Sequence, residues 1–154
     1  MATPDASTAG SSVEDLASEA KYFSEQMGWP VTIDVPNERL VVATGQAVDG
    51  LRIPRTVAEH VAAALSTKLM AGPVSRDDSG WWTFITAASH QHANKELPHE
   101  LRLARVYAVP PGGELVVPPV TKHRSWWQPP RPDRALPQYS AVIAVARHVI
   151  ARGS

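Results

Sequence analysis

Six histidines and an adjacent pair of aspartates are the residues best suited to proton transfer or metal binding in this chain. His90 and His92 stand two apart, which puts both imidazoles on one side of an extended segment. With His99 or His123 they form a candidate metal or acid–base set. No acid accompanies them in the usual ligand spacing, and the segment from Ala88 to Glu96 reads as a solvated polar loop. His60 and His148 fall beside the apolar faces of two helical patterns, as structural histidines do. Asp77 and Asp78, joined by Asp49, could hold Mg²⁺. Yet Asp77-Asp78-Ser79-Gly80 is also turn chemistry, and consecutive carboxylates on a strand point to opposite faces. The chain has no Walker loop, no G-x-G-x-x-G, no G-x-S-x-G and no cysteine. The sequence therefore assigns no catalytic residue, no metal ligand and no cofactor.

Binding chemistry is better represented. The run from Gly112 to Trp127 passes from a glycine turn to a short apolar strand and two prolines, then to Lys122, His123, Arg124, Trp126 and Trp127. Upstream, Trp81-Trp82 occupies a second glycine-entered strand, where adjacent side chains must face opposite ways. An exposed indole beside cations stacks on bases or grips a peptide. The candidate binding surface is Trp82, Lys122, His123, Arg124, Trp126 and Trp127. The competing reading is that Trp126-Trp127 clamps the proline-rich segment Gln128–Pro132 onto the sheet.

The elements that must position these residues follow from periodicity and turn signals. Ser11 and Glu14 have capping-box spacing. Val13, Leu16, Ala17, Ala20 and Phe23 then predict a helix ending at Gly28. Val31–Val35 and Arg39–Thr44 read as a hairpin, followed by a break over 45–50 and a short strand, Leu51–Ile53. Pro54 opens a helix with a second capping box, Thr56 and Glu59. Its stripe is Val57, Val61, Ala64, Leu65 and Leu69, and Gly72 is its stop. A strand at Trp81–Ala87 and a short helix over 97–103 come next. Arg105–Val109 and Glu114–Val117 read as a hairpin around Pro110-Pro111-Gly112-Gly113. Trp126–Pro137 reads as an extended surface run, and a final helix carries Tyr139, Val142, Ile143, Ala146, Val149 and Ile150. The fold class is α+β, with a mainly antiparallel sheet flanked by N-terminal, central and C-terminal helices. Residues 1–10 read as a disordered tail and 11–152 as one domain.

Charge narrows the partners. Fifteen basic and fifteen acidic residues give a formal net charge of zero, so no global field draws the chain to nucleic acid or an anionic membrane. A local patch is required instead. No apolar run reaches the ~18 residues of a membrane span, and the first ten residues lack the pattern of a signal peptide. A soluble, cytoplasmic protein without a membrane partner is expected.

From Phe23 to His148 the chain resembles the small primase/polymerase-like (prim-pol) domains of the archaeo-eukaryotic primase superfamily, common in high-GC bacteria. The carriers are Gly28-Trp29-Pro30-Val31, the strand Val48–Ile53 before Pro54, Gly72-Pro73-Val74 and Gly80–Phe84. They continue with Val116-Val117-Pro118-Pro119, the basic residues after it, and Pro129-Pro130 with Leu136-Pro137. Active members hold divalent metal with an Asp-x-Asp pair and a further acid, and bind nucleotide phosphate with a histidine. Here the pair is Asp49 and Leu51, and tryptophan, Trp81 or Trp82, stands where the strand histidine would. The resemblance implies a scaffold without catalysis. The expected function is a non-catalytic binding or regulatory domain, with single-stranded nucleic acid, a nucleotide or a protein as partner. Two alternatives are a cofactor-free enzyme using the histidines and an oligomeric accessory protein joined through an apolar strand edge.

Overall fold

The computed structural model describes residues 14–89 and 96–153. The proposed tail over 1–10, the Ser11 cap, Val13 and the pair His90 and His92 lie outside them. The fold is α+β, with helices packed around two antiparallel sheets.

Helix α1 (residues 14–22) continues into a π turn at Phe23–Met27. It ends as its sequence requires: Gly28 sits at φ 73°, and the N–H of Trp29 reaches back to the Phe23 carbonyl at 3.2 Å. Trp29 then stacks on Phe23 with ring centroids 5.4 Å apart. Strands β1 (Val31–Asp34) and β2 (Arg39–Ala43) form the expected hairpin. Strand β3 (Val48–Pro54) begins inside the stretch read as a break and is seven residues long. Gly50 misleads there: it looks like a turn residue, but it provides the space that the Leu115 side chain fills from the other sheet.

Helix α2 (Arg55–Thr67) follows Pro54 directly, but the Thr56–Glu59 capping box does not form. Glu59 pairs instead with Arg55 at 3.2 Å, one turn earlier. The helix stops before Gly72. Met70 N–H bonds the Leu65 carbonyl and Leu69 N–H that of Ser66, closing the end with Leu69 in the left-handed region at φ 59°. Leu69, expected in the buried stripe, is 93% exposed. The buried face is Ala58, Val61, Ala62 and Leu65.

Strands β4 (Val74–Arg76) and β5 (Trp81–Ala87) form a hairpin through the Asp77–Gly80 turn, and α3 (His99–Leu103) follows. The hairpin expected between Arg105–Val109 and Glu114–Val117 is absent. Strand β6 (Tyr107–Ala108) pairs with β3, and β7 (Glu114–Val117) pairs with β2 in the other sheet. The Pro-Pro-Gly-Gly turn carries the chain between sheets. Thr44 anchors it there, accepting from Gly112 N–H and donating its hydroxyl to the Pro110 carbonyl. Strand β8 (Trp126–Gln128), within the segment read as surface chain, pairs with β4. Helix α4 (Tyr139–Gly153) closes the fold.

The sheet orders are β1-β2-β7 and β6-β3-β5-β4-β8. One core lies between the five-stranded sheet and α2, α3 and α4, around Leu51, Ile53, Phe84 and Val142. The other lies between the two sheets and α1, around Leu40, Val42, Ile85, Leu115 and Val117. The five-stranded sheet is thus buried on both faces over only part of its area. The uncovered part positions the candidate site.

Candidate functional site

Strand register decides which side chains reach that open area. Directly paired residues share a face, so Tyr107, Arg52, Thr83, Ser75 and Trp126 form one row across β6, β3, β5, β4 and β8. The row lies on the side facing the smaller sheet, which covers its Trp126 end but not its Tyr107 end. Tyr107 is 53% exposed. Trp81 lies on the same face. The Arg52 guanidinium sits 5.7 Å from the Trp81 ring centre and 2.6 Å from an Asp77 carboxylate oxygen.

Asp77 organises the neighbouring turn. It accepts hydrogen bonds from the Ser79 hydroxyl, Ser79 N–H at 2.9 Å and Trp81 N–H at 3.2 Å. Burial alone would push its carboxyl up. The bonds from Ser79 and Trp81, with the Arg52 charge, outweigh that and hold it below the ordinary carboxylate range. The turn reading of Asp77-Asp78-Ser79-Gly80 is therefore the one realised.

The predicted binding residues separate. Lys122, His123 and Arg124 are exposed, on a short 3₁₀ turn ahead of β8. Trp82 is not on the surface: it faces the helical core, 5% exposed. Trp126 is not on it either, at 4% exposed, with its indole N–H donated to the Pro119 carbonyl at 3.1 Å. Strand alternation explains both corrections, because Trp82 and Trp126 are the residues whose parity turns them inward. Trp127 is half-buried and packs on Trp82 with 6.2 Å between ring centres. The tryptophan on the open face is Trp81. It belonged to a pair of which one member was expected to meet solvent, and the register of β5 against β3 identifies which. Arg52 and Tyr107 carried no motif and emerge only from strand pairing.

Beside this face, a cleft of about 740 Å³ opens at the end of the two-sheet sandwich. Its walls are the first turns of α1, the start of β2, the end of β7 with Pro118-Pro119, and the β4–β5 turn with Lys122 and Ser125. Five carboxylates line it against three cationic side chains. Two cations are engaged: Arg39 pairs with Asp34 at 2.9 Å, and Arg76 donates to the carbonyls of Arg124 and Trp126. Two acids are engaged as well. Asp77 holds its turn, and Glu19 accepts the Val120 N–H at 2.7 Å. Asp15, Glu38 and Asp78 have no partner among the described residues, against Lys122 as the unpaired cation. The cleft is acidic.

Asp49 lies elsewhere. It is 3% exposed on the helix-facing side of β3, with Oδ2 accepting Ser89 N–H at 2.7 Å and Oδ1 without a hydrogen-bond partner among the described residues. Burial first, and then the Asp49 charge, push the Tyr139 phenol above its usual range. Leu51, two residues on, is fully buried. Among the described residues no three His, Asp or Glu side chains are placed to share a metal ion. His60, His99, His123 and His148 are exposed and on separate elements. No helix among the described residues is long and apolar enough to cross a membrane. No protein-family model, curated protein or solved structure matches the chain.

Proposed function

We propose that this is a non-catalytic, prim-pol-like binding domain of the cytoplasm, whose contact site is the acidic cleft at the open end of the sandwich and whose partner is a protein. The observation that carries the reading is the cleft itself: a strand edge and an apolar rim at Val116, surrounded by carboxylates in excess of cations. A phosphate-bearing ligand would meet net repulsion there, and Arg76, the cation best placed to receive it, is held by two carbonyls. Loss of the enzymatic role is supported by Asp49, which is closed off beneath the helices rather than presented to a metal–nucleotide complex.

The test is a photo-cross-linking amino acid in place of Val116, irradiated in the native cell. A protease-sensitive adduct of defined mass is expected, and no adduct, or one removed by nuclease, would sink the reading. Primer extension with Mg²⁺ or Mn²⁺ should show no nucleotide incorporation, and incorporation would overturn the non-catalytic claim. A second reading, single-stranded nucleic acid, is favoured by one feature: the exposed run Lys122-His123-Arg124 ahead of β8. The double variant K122E/R124E would then abolish oligonucleotide binding and its salt dependence.

A further inference from the structure

Strand β7 is an edge. Among the described residues it pairs with β2 on one side and with no strand on the other. The Thr44 N–H bonds the Gly113 carbonyl at 3.0 Å. Because bonded and non-bonded pairs alternate along an antiparallel ladder, Leu115 and Val117 turn their backbone groups toward β2. Those of Glu114 and Val116 point outward. The side chains of these two residues are also exposed, on the outer face of the sheet, with Val116 at 45%. Glu114 has no partner among the described residues. Past the end of β7 stand the unpaired carboxylates of Glu38, Asp78 and Asp15 in the cleft.

Resting on the binding reading above, we infer that β7 docks an extended segment of a partner protein, added as a fourth strand to the β1-β2-β7 sheet, with the pattern cation-x-apolar-x-cation. The apolar residue lies opposite Val116, and its N–H and C=O exchange bonds with those of Val116. One cation lies two residues away, beside Glu114. The other, two residues the other way, reaches the carboxylates of the cleft. Cross-strand pairs of opposite charge and of apolar type are the ones that stabilise a sheet. A second copy of this chain fits worse, since a two-fold axis repeats the same acidic surface on both sides. Pro118-Pro119 stops the edge and limits the added strand to a few residues.

Three synthetic peptides test this by amide NMR titration: one centred on Lys-Thr-Val-Thr-Lys, one with both lysines replaced by glutamate, and one N-methylated at the valine. The lysine peptide is expected to bind saturably, to shift the amides of Glu114 and Val116, and to weaken as salt rises. The N-methylated peptide should bind at least tenfold more weakly. The variant E114K should lose about tenfold for the lysine peptide and gain for the glutamate peptide, a reversal that a folding defect does not produce. Equal binding of the glutamate peptide, undiminished binding of the N-methylated one, shifts away from β7, or no binding of the lysine peptide would each overturn the inference. A protein cross-link at position 116 alongside a failed lysine peptide leaves the binding reading intact and removes strand addition. Absence of any cross-link removes both.

Discussion

Leu69 is the residue whose conformation contradicts its type. It takes φ 59° at the end of α2 while 93% exposed. A β-carbon in the left-handed region costs energy that glycine does not incur, and so exposed a side chain returns little burial. L69G should therefore stabilise the protein by about 0.5–1 kcal/mol despite the added freedom of the unfolded chain. A lower denaturation midpoint in urea for L69G would contradict this. The same residue shows why the end of α2 was not legible. The apolar period continued through Leu69 towards Gly72, and only the backbone bonds at Leu65 and Ser66 reveal the earlier stop. Tyr139 gives a pH prediction. Its phenol is favoured in the neutral form in the folded state, first by burial and then by the Asp49 charge. The associated stability is thus present below the ordinary tyrosine range, near pH 10, and is lost as pH rises through the raised folded value. In paired thermal melts, Y139F should lose less stability than the wild type between neutral and strongly alkaline pH. Parallel loss in both proteins would remove the coupling.

At the scale of elements, local signals served well where sequence neighbours are also spatial neighbours. The β1–β2 hairpin, the β4–β5 turn held by Asp77, the Gly28 stop and α4 all follow from contacts a few residues apart. Among the strands, the failures involve pairing across long sequence distance. Glu114–Val117 has the alternation of a hairpin strand, yet its partner is β2, because the Thr44 anchor takes the Pro-Pro-Gly-Gly turn out of the first sheet. The same limit hid the site: Arg52, Trp81 and Tyr107 share a face only through the β5–β3–β6 register. At Gly50 the two sheets approach closely. A Cβ there would lie 2.6 Å from both terminal carbons of Leu115, which is itself 2% exposed and cannot swing clear. G50A should destabilise by about 1–3 kcal/mol through overpacking. In combination with L115A, whose cavity the new methyl partly fills, the loss should be smaller than the sum of the two single losses. Additive losses in chemical denaturation would show that the sheets do not meet as described.

For the whole molecule, the distribution of charge matters more than its total of zero. The basic turn Lys122–Arg124 and the acidic cleft are neighbours, since Lys122 belongs to both. An anionic chain drawn to the turn is repelled in the adjoining cleft by Asp78 and Glu38. An extended cationic segment meets attraction in the cleft and opposition mainly from Lys122. Composition alone does not separate nucleic acid from protein partners, because a neutral sum hides opposing local fields. The burial of Trp82 and Trp126 and the spending of Arg76 on backbone carbonyls support the protein reading proposed above. The consequence can be measured without knowing the partner. A short oligothymidylate titrated at low salt should give no saturable signal. Replacing the unpaired acids, in the variant E38K/D78K, should create oligonucleotide binding whose affinity falls steeply with added salt, because new cations then line the path that phosphates must follow. Tight binding by the wild-type protein, abolished by K122E/R124E, would instead place the basic turn at the centre of function and make the cleft incidental.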